Sequence, residues 1–596
     1  MNYSSLFRRK TFTNEIDFDD ENPNQGGLSE GFQEAVPHER HKMKRVLTVR
    51  DLTFFGIAAI IGAGSFSSLG GAVFNGGPGV VILFIITGIA CAFTAYCYSE
   101  FASRIPVAGS AYTYAYASFG EFFAWIIGWA LIMEYSIGNI YVAFSWSDYF
   151  TSFMHKVNIY IPDYLTCSYL EAKKVIETGG KNSELLNAWN SAPLIGGIRM
   201  IFDLPALIIN ILITYLVFRG IKESRNFSNA MVILKLFIVT LVILVGGYLI
   251  YSNGLSFNWT PTNDEGIKSF MPNGFGGIMM AVSGVFFAYI GFDAVSVLAE
   301  ESKDPQRDLP RGMIYSLVIC TIVYILLTLV LTGAVHYKKF DGVGDPLAFI
   351  FEPQNLNIGW MQILVSICAV VAMTSVLLVF QMGQPRIWMS MSRDGLMPPV
   401  FQKIHSKYKT PSFATLITGL VVGVPILFTD KTFVLDFTSI ATLFAFVLVC
   451  GGVLLLPRVE KRKGRFSMPY INGKVIFPSL VILTFLCFSF FNKYYFTEIF
   501  NFDFTSNSDY SKGLASFMDL ATPKISVIAF WLICIILSIL TYIKKYSLIP
   551  LMGVSTCLYL LTGMSKSNWA WFIAWLTLGL IFYFIYSYKH SKLANK

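Results

Sequence analysis

Apolar runs of roughly 20 residues recur along the chain between short polar stretches, each long enough for the ~30 Å hydrocarbon core of a bilayer. About fourteen runs can be counted by length, from one centred near Ala63 to one centred near Leu578. The last four are the least sharply bounded, because Phe and Tyr extend into their flanks. The pattern predicts an all-α polytopic membrane protein with little outside the bilayer able to bury a core of its own.

Two of the runs are interrupted. Gly56 to Gly71 reads GIAAIIGAGSFSSLGG, with a Gly-Ala-Gly-Ser break near its middle. Each glycine costs a helix about 1 kcal/mol relative to alanine. Broken backbone at membrane depth is tolerated only where it faces a cavity or other protein. Gly274 to Glu301 reads GFGGIMMAVSGVFFAYIGFDAVSVLAEE, with Gly291 as the interruption and Asp293 just beyond. The breaks fall in the first and sixth spans, which is the sequence pointer to a midplane site between inverted repeats. The implied organisation is a polar tail (1–50), a first repeat (51–253), a second repeat (254–457), and accessory spans with the C-terminus (458–596).

Composition supports this reading. Of 596 residues, 54% are hydrophobic and 14% charged, and mean hydropathy is +0.57. A soluble chain of that length would need more charge to cover its surface. The net charge of +8 is not a nucleic-acid signature, because the basic residues lie in short loops between spans. Placed with the N-terminus inside, the chain concentrates Lys and Arg on the inner side, as topology requires, so both termini are expected in the cytoplasm. No signal-peptide core follows the basic N-terminal patch. No CxxC or Cys/His cluster is present, so metal sites, cofactors and a disulfide framework are not expected. The sequon at Asn258 is read as chance.

The two breaks suggest recognition by backbone. A half-helix N-terminus at Gly62, Ala63, Gly64 and Ser65 offers N–H groups and a positive dipole end to a carboxylate. The carbonyls of Ile60, Ile61, Phe287, Ala288 and Ile290 offer acceptors to an ammonium. Together they describe a pocket for an α-amino acid; the plainer alternative is that these glycines only allow close helix packing.

Ionisable residues inside spans are costly and point to function. Lys235 in the fifth span would have its amine pKa lowered by desolvation, which suits proton exchange in place of a bound sodium; the alternative is snorkelling to the membrane edge. Glu134 in the third span faces either the pocket or a neighbouring helix. Asp293 could hold the unwound segment or relay a proton. Thr374 and Ser375 in the eighth span could face Lys235, and Phe380, if turned to the pocket, would shorten it. Glu100 and Arg104 suggest a structural ion pair or inner gate, and Asp148 suggests solvation at the outer interface. The long outer loops, residues 155–193 and 492–523, are read as lids or short surface helices.

At these residues the chain resembles a known family. IIGAGSF, YSEFASRIPVAGSAYTYAYASFGE, FFAYIGFDAVSVLAEESKDPQRDLPRG and MSRDGLMP are similar to segments of the amino acid–polyamine–organocation superfamily, in particular its cationic amino acid transporter family and bacterial relatives. The resemblance implies a leucine-transporter-type fold with alternating access. It implies that Ile60, Ile61, Ala63, Gly64, Phe287, Ala288 and Ile290 bind the amino acid backbone. It also implies that Glu134 and Asp293 are pocket-side carboxylates and that Lys235 replaces a sodium site. Two departures stand out: the hydroxyl of the family pattern falls at Ser65 instead of position 63, and Phe380 brings bulk that disfavours long cationic side chains.

The expected activity is secondary import of L-amino acids, neutral ones favoured, driven by H+ across a plasma or inner membrane. The rivals are an exchanger or polyamine carrier on the same fold and a transport-dead sensor. No nucleophile–base pair or phosphate loop suggests an enzyme, and a channel needs no matched broken helices. An accessory subunit is left open by the sequence.

Overall fold

The computed structural model describes Arg8 and residues 47–593, apart from residues 63, 106–109, 179–182, 221–224, 263–265, 409, 457–465, 492–498 and 501–513. The chain is helical throughout, with a two-residue β ladder joining Leu194–Ile195 to Ile198–Arg199. The first break separates α1 (Val49–Ile60) from α2 (Leu69–Gly76). Next come α3 (Val80–Arg104), α4 (Ser110–Ser118) and α5 (Glu121–Lys156). The first outer loop carries α6 (Tyr169–Thr178) and α7 (Ser183–Ser191), and the chain returns through α8 (Leu204–Arg219) and α9 (Arg225–Ser252).

The second break lies beyond α10 (Gly274–Met280) and α11 (Val282–Phe287). Then follow α12 (Pro305–Ala334), the short α13 (Pro346–Phe349), α14 (Gly359–Arg393), α15 (Ser412–Ile426) and α16 (Lys431–Leu455). The last helices are α17 (Gly473–Phe491), α18 (Leu514–Lys544), α19 (Leu548–Leu561) and α20 (Lys566–Phe582).

Among the described residues, nine helical stretches are long and apolar enough to cross a membrane, ten when the bent pair α10–α11 counts as one. Three shorter apolar helices, α8, α15 and α19, accompany them. The protein is therefore a multi-pass membrane protein. Its centre is α5 packed on α14 and α16, with α1 lying against α12 and α9. At 36 residues α5 is about 54 Å long at 1.5 Å per residue, so it reaches from one face of the molecule to the other. Its most apolar stretch is 89% buried, whereas the corresponding stretches of α17 and α18 are only 11% buried. Those two helices sit at the rim.

Sequence-encoded polar contacts fix the frame. Thr48 and Asp51 form a capping box at the start of α1, and Asp51 also accepts from Asn229 of α9. Two amides of the eighth span, Gln381 and Gln384, bond Asn139 and Ser136 of α5, and Gln381 also reaches Thr214 of α8. Nearer the start of α5 two indoles clasp: Trp129 Nε1 donates to the Trp575 carbonyl and Trp575 Nε1 donates to the Trp129 carbonyl, their rings stacked at 4.8 Å. Glu100 and Arg104 form an intrahelical ion pair, and Glu100 also accepts from the Met468 N–H, which marks it as a structural tie. The Asn258 side chain is buried and donates to the Gly333 carbonyl, in keeping with a chance sequon. Of the two forms expected for residues 155–193, lids or short surface helices, the described residues show the short helices α6 and α7. Most of the second long loop lies outside the described residues.

Candidate substrate site

The two interrupted helices meet where they break. After Ile60 the backbone at Ile61 turns extended, and it resumes as a wide turn over Gly64–Ser68. The second helix bends by 45° between α10 and α11, then passes through Gly291 at φ +115° into a 3-10 turn over Phe292–Glu301. That φ suits glycine, which has no Cβ to clash. Glycine is also required by contact: a Cβ on Gly64 would lie 2.5 Å from the Cα of Ala288, and one on Gly291 would lie 3.0 Å from the backbone of Ala59. Ser68 Oγ sits between the breaks, within hydrogen-bond reach of the carbonyls of Gly64 (2.7 Å) and Gly284 (2.9 Å).

Several of the candidate carbonyls are already bonded. The Ile60 carbonyl, expected for an ammonium, already accepts from the Tyr324 hydroxyl at 2.9 Å. The Phe287 carbonyl accepts from the Ile290 N–H. The Gly62 carbonyl takes the N–H groups of Ser65 and Phe66 and the Ser65 hydroxyl at 3.0 Å. Ser65 thus closes its own turn, which accounts for a hydroxyl where the family pattern has none. Ala63 lies outside the described residues.

Two carboxylates are buried beside the breaks. Glu134 and Asp293 are 2% and 1% exposed and close enough to feel each other's charge. Asp293 lies beside the N–H groups of Gly291, Asp293 and Ala294 at the start of the 3-10 turn, yet neither oxygen closes a full hydrogen bond among the described residues. Glu134 lies beside Thr442 of α16 and leaves Oε2 unbonded among the described residues. Buried carboxylate oxygens without partners cost stability unless they are protonated or meet a cation. Phe380 is buried against Tyr135, ring centroids 5.6 Å apart, and over Gly138, whose Cβ would lie 3.5 Å from the ring. That places it across from the α5 face one turn beyond Glu134.

Lys235 does not snorkel. Its amine is buried and donates to the Ala58 carbonyl at 3.0 Å, tying α9 to the last turn of α1 before the break. Ser375 is buried with its hydroxyl on the Ala372 carbonyl. Thr374 turns to a different neighbour than expected: it accepts from Trp146 Nε1 of α5 at 2.9 Å and donates to the Val370 carbonyl. Asp148 is likewise not merely solvated, since it forms an ion pair with Lys431 at the start of α16.

Three residues that hold the site escaped sequence reasoning: Tyr324, Ser68, and Tyr149, which donates to the Phe66 carbonyl at 2.6 Å. Nothing local marks them, because each acts on backbone far away in the chain. Gln381 and Gln384 of the eighth span, by contrast, are amides within an apolar run, a local signal not drawn on above.

A sequence model of the amino acid permease family matches residues 47–507. The branched-chain amino acid permease BcaP of Bacillus subtilis is 35% identical over 560 residues, covering 94% of this chain and 96% of that protein. The methylthioribose transporter of the same organism is 33% identical, with 93% and 95% coverage. Cationic amino acid transporter 2, vacuolar, of Arabidopsis thaliana is 35% identical over 70% of this chain and 60% of its own length. The chain belongs to the amino acid permease family of the amino acid–polyamine–organocation superfamily, beside the cationic amino acid transporters.

Proposed function

We infer that this protein imports L-amino acids by alternating access, with the substrate's ammonium and carboxylate read by the backbone of the two breaks and the proton carried at Lys235. The observation that carries this reading is the approach of Gly64 to Ala288, which puts two unwound segments side by side at the buried centre. With the Ile60 and Phe287 carbonyls already bonded, the carbonyls of Ile61, Ala288 and Ile290 remain as the proposed ammonium acceptors, and Gly64 belongs to the carboxylate side. Glu134 and Asp293 close the floor of the pocket, and Phe380 limits its length.

Lys235 couples proton to motion. A charged amine holds the Ala58 carbonyl by a charge-assisted bond, roughly twice as strong as a neutral one. Loss of its proton weakens the tie between α9 and α1 and lets the inner half of the first span swing. Ser375 shares this corner and Thr374 supports it from the α5 side. Two five-span inverted repeats of the leucine-transporter type suit this mechanism. A total of fourteen spans follows if Val49–Arg104 is read as two and the short helices α8, α15 and α19 cross as well. Both termini then lie in the cytoplasm.

Neutral substrates fit best, because Phe380 adds bulk and a relative spanning nearly the whole chain is named a branched-chain amino acid permease. The other near-full-length relative is named for methylthioribose, so that compound belongs in the test. The experiment is uptake of labelled alanine, leucine, arginine and methylthioribose into liposomes, with and without an inward proton gradient. Accumulation of a neutral amino acid that collapses with the gradient is expected. Accumulation that follows sodium, or counterflow without accumulation, overturns the coupling.

A further inference from the structure

At the end of α5 away from Arg8 and Ser591, both of which bond Glu121, lies a charge pair that the pocket does not use. Asp148, near the end of α5, pairs with Lys431, the first residue of α16. The pair is partly buried, with 30% and 19% of the two side chains still exposed. Lys431 Nζ stands 5.7 Å from the centroid of the Tyr141 ring. Tyr141 in turn meets Phe287 of the second break edge-on, centroids 4.6 Å apart, and its hydroxyl reaches Ser67 beside the first break. A cation, an aromatic ring and the unwound backbone thus stand in one column above the candidate pocket.

Two further segments converge on the pair. Gly344 lies so close that a Cβ there would fall 2.6 Å from Asp148 Oδ2, and its carbonyl accepts from Ser67 Oγ at 3.1 Å. Helix α6 adds Glu171, which accepts the Lys431 N–H at 3.0 Å with one oxygen while the other caps its own helix at Ser168. This outer hairpin has a small core of its own around Ala172, Ala192 and Ile201, so it stands over the pair as a packed cap.

We propose that Asp148 and Lys431 form a vestibular site for α-amino acids, in which an entering zwitterion exchanges with the ion pair, its ammonium passing to Asp148 and its carboxylate to Lys431. The proposal deepens the reading of this protein as an amino acid importer and rests on it. The chemistry is balanced by design: two opposite charges held side by side are replaced by two charge pairs of the same kind. Breaking the pair without a replacement leaves two partly desolvated charges unmatched, which is costly. Exchange with a zwitterion avoids that cost, so the pair opens for a ligand bearing both charges and resists one bearing neither. Its opening releases the lysine from Tyr141 and uncovers the column that leads to Phe287.

The test uses the full-length protein in proteoliposomes under an inward proton gradient. D148N/K431Q, which removes both charges and leaves none unpaired, is expected to raise the KM for alanine tenfold or more while kcat stays within about threefold. The charge-reversed D148K/K431D, which keeps both charges, is expected to recover most of that KM. A KM within twofold of wild type in the neutral pair, or a reversed pair no better than the neutral one, overturns the site, provided both proteins elute as folded species. Wild-type uptake in the same vesicles separates the two ideas. Normal wild-type transport with an unmoved double variant removes the vestibular site alone, and no wild-type transport of any amino acid removes the importer reading and this site with it.

Discussion

Lys235 Nζ donates to the carbonyl of Ala58 at 3.0 Å, joining a buried amine on α9 to the turn that ends the first half-helix. A helix carbonyl so near a break has no N–H partner four residues on, and the lysine supplies one. In the mechanism proposed above, the proton on that amine bears on where α1 sits.

K235M should stay folded but lose about 1–3 kcal/mol of stability, because the buried Ala58 carbonyl is left without its donor. Proton-driven accumulation should fall at least tenfold, while counterflow persists at a reduced rate and loses its pH dependence. Uptake and counterflow measured from pH 5.5 to 8 distinguish this from a purely structural lysine, for which both activities would fall together.

Gly64 tolerates no side chain. G64A forces a Cβ against backbone, not against a flexible side chain, and overpacking of this kind costs about 1–3 kcal/mol. Its thermal midpoint in detergent should drop and its alanine uptake should be lost. G71A, whose Cβ would meet nothing within 4 Å, is the control and should match wild type in both.

The proposed role of Phe380 in selectivity can be separated from packing. Removing a ring packed fully in a core costs about 3–5 kcal/mol. If the ring borders the pocket, F380A should be cheaper than that and should lower the inhibition constant of leucine and arginine at least fivefold relative to alanine. Competition against labelled alanine uptake reads this directly; an unchanged ranking with a large loss of stability would assign Phe380 to packing alone.

The loop before α13 should respond to pH. Burial pushes the Asp345 carboxyl up to about 7, against the opposing pull of the Lys156 amine and the Ser152 hydroxyl, which donates to it at 2.8 Å. An unfolded Asp titrates near 3.9. With the folded value above the unfolded one, its contribution is complete below pH 4 and is lost as pH rises through about 7. Between pH 5 and 8 the wild type should lose on the order of 2 °C or more of thermal midpoint, and D345N should show a flatter profile over the same range.

The sequence carried the breaks because glycine is expensive inside a helix, and at Gly64 and Gly291 that expense has a visible return in close backbone contact. It carried Lys235, Glu134 and Asp293 because charge in an apolar run is rare. It did not carry the partners. Ser68 and Gly284 lie 216 residues apart, and Asp148 and Lys431 lie 283 apart, so neither tie leaves a local periodicity. Asp148 reads as interfacial from its own helix alone, and only the fold brings a lysine to it. Thr374 and Ser375 are neighbours in sequence, yet they point about 100° apart around a helix, which is why one hydroxyl turned to Trp146.

The indole clasp between Trp129 and Trp575 has a mechanical meaning. Two reciprocal bonds make α20 a rider on α5, so the last helix keeps step with the central post whenever the broken helices tilt. The rim helices α17 and α18 have no such tether to α5 among the described residues. The last long helix is thereby geared to the middle of the bundle, and because the two indoles travel together their stacking is a fixed joint between rim and post.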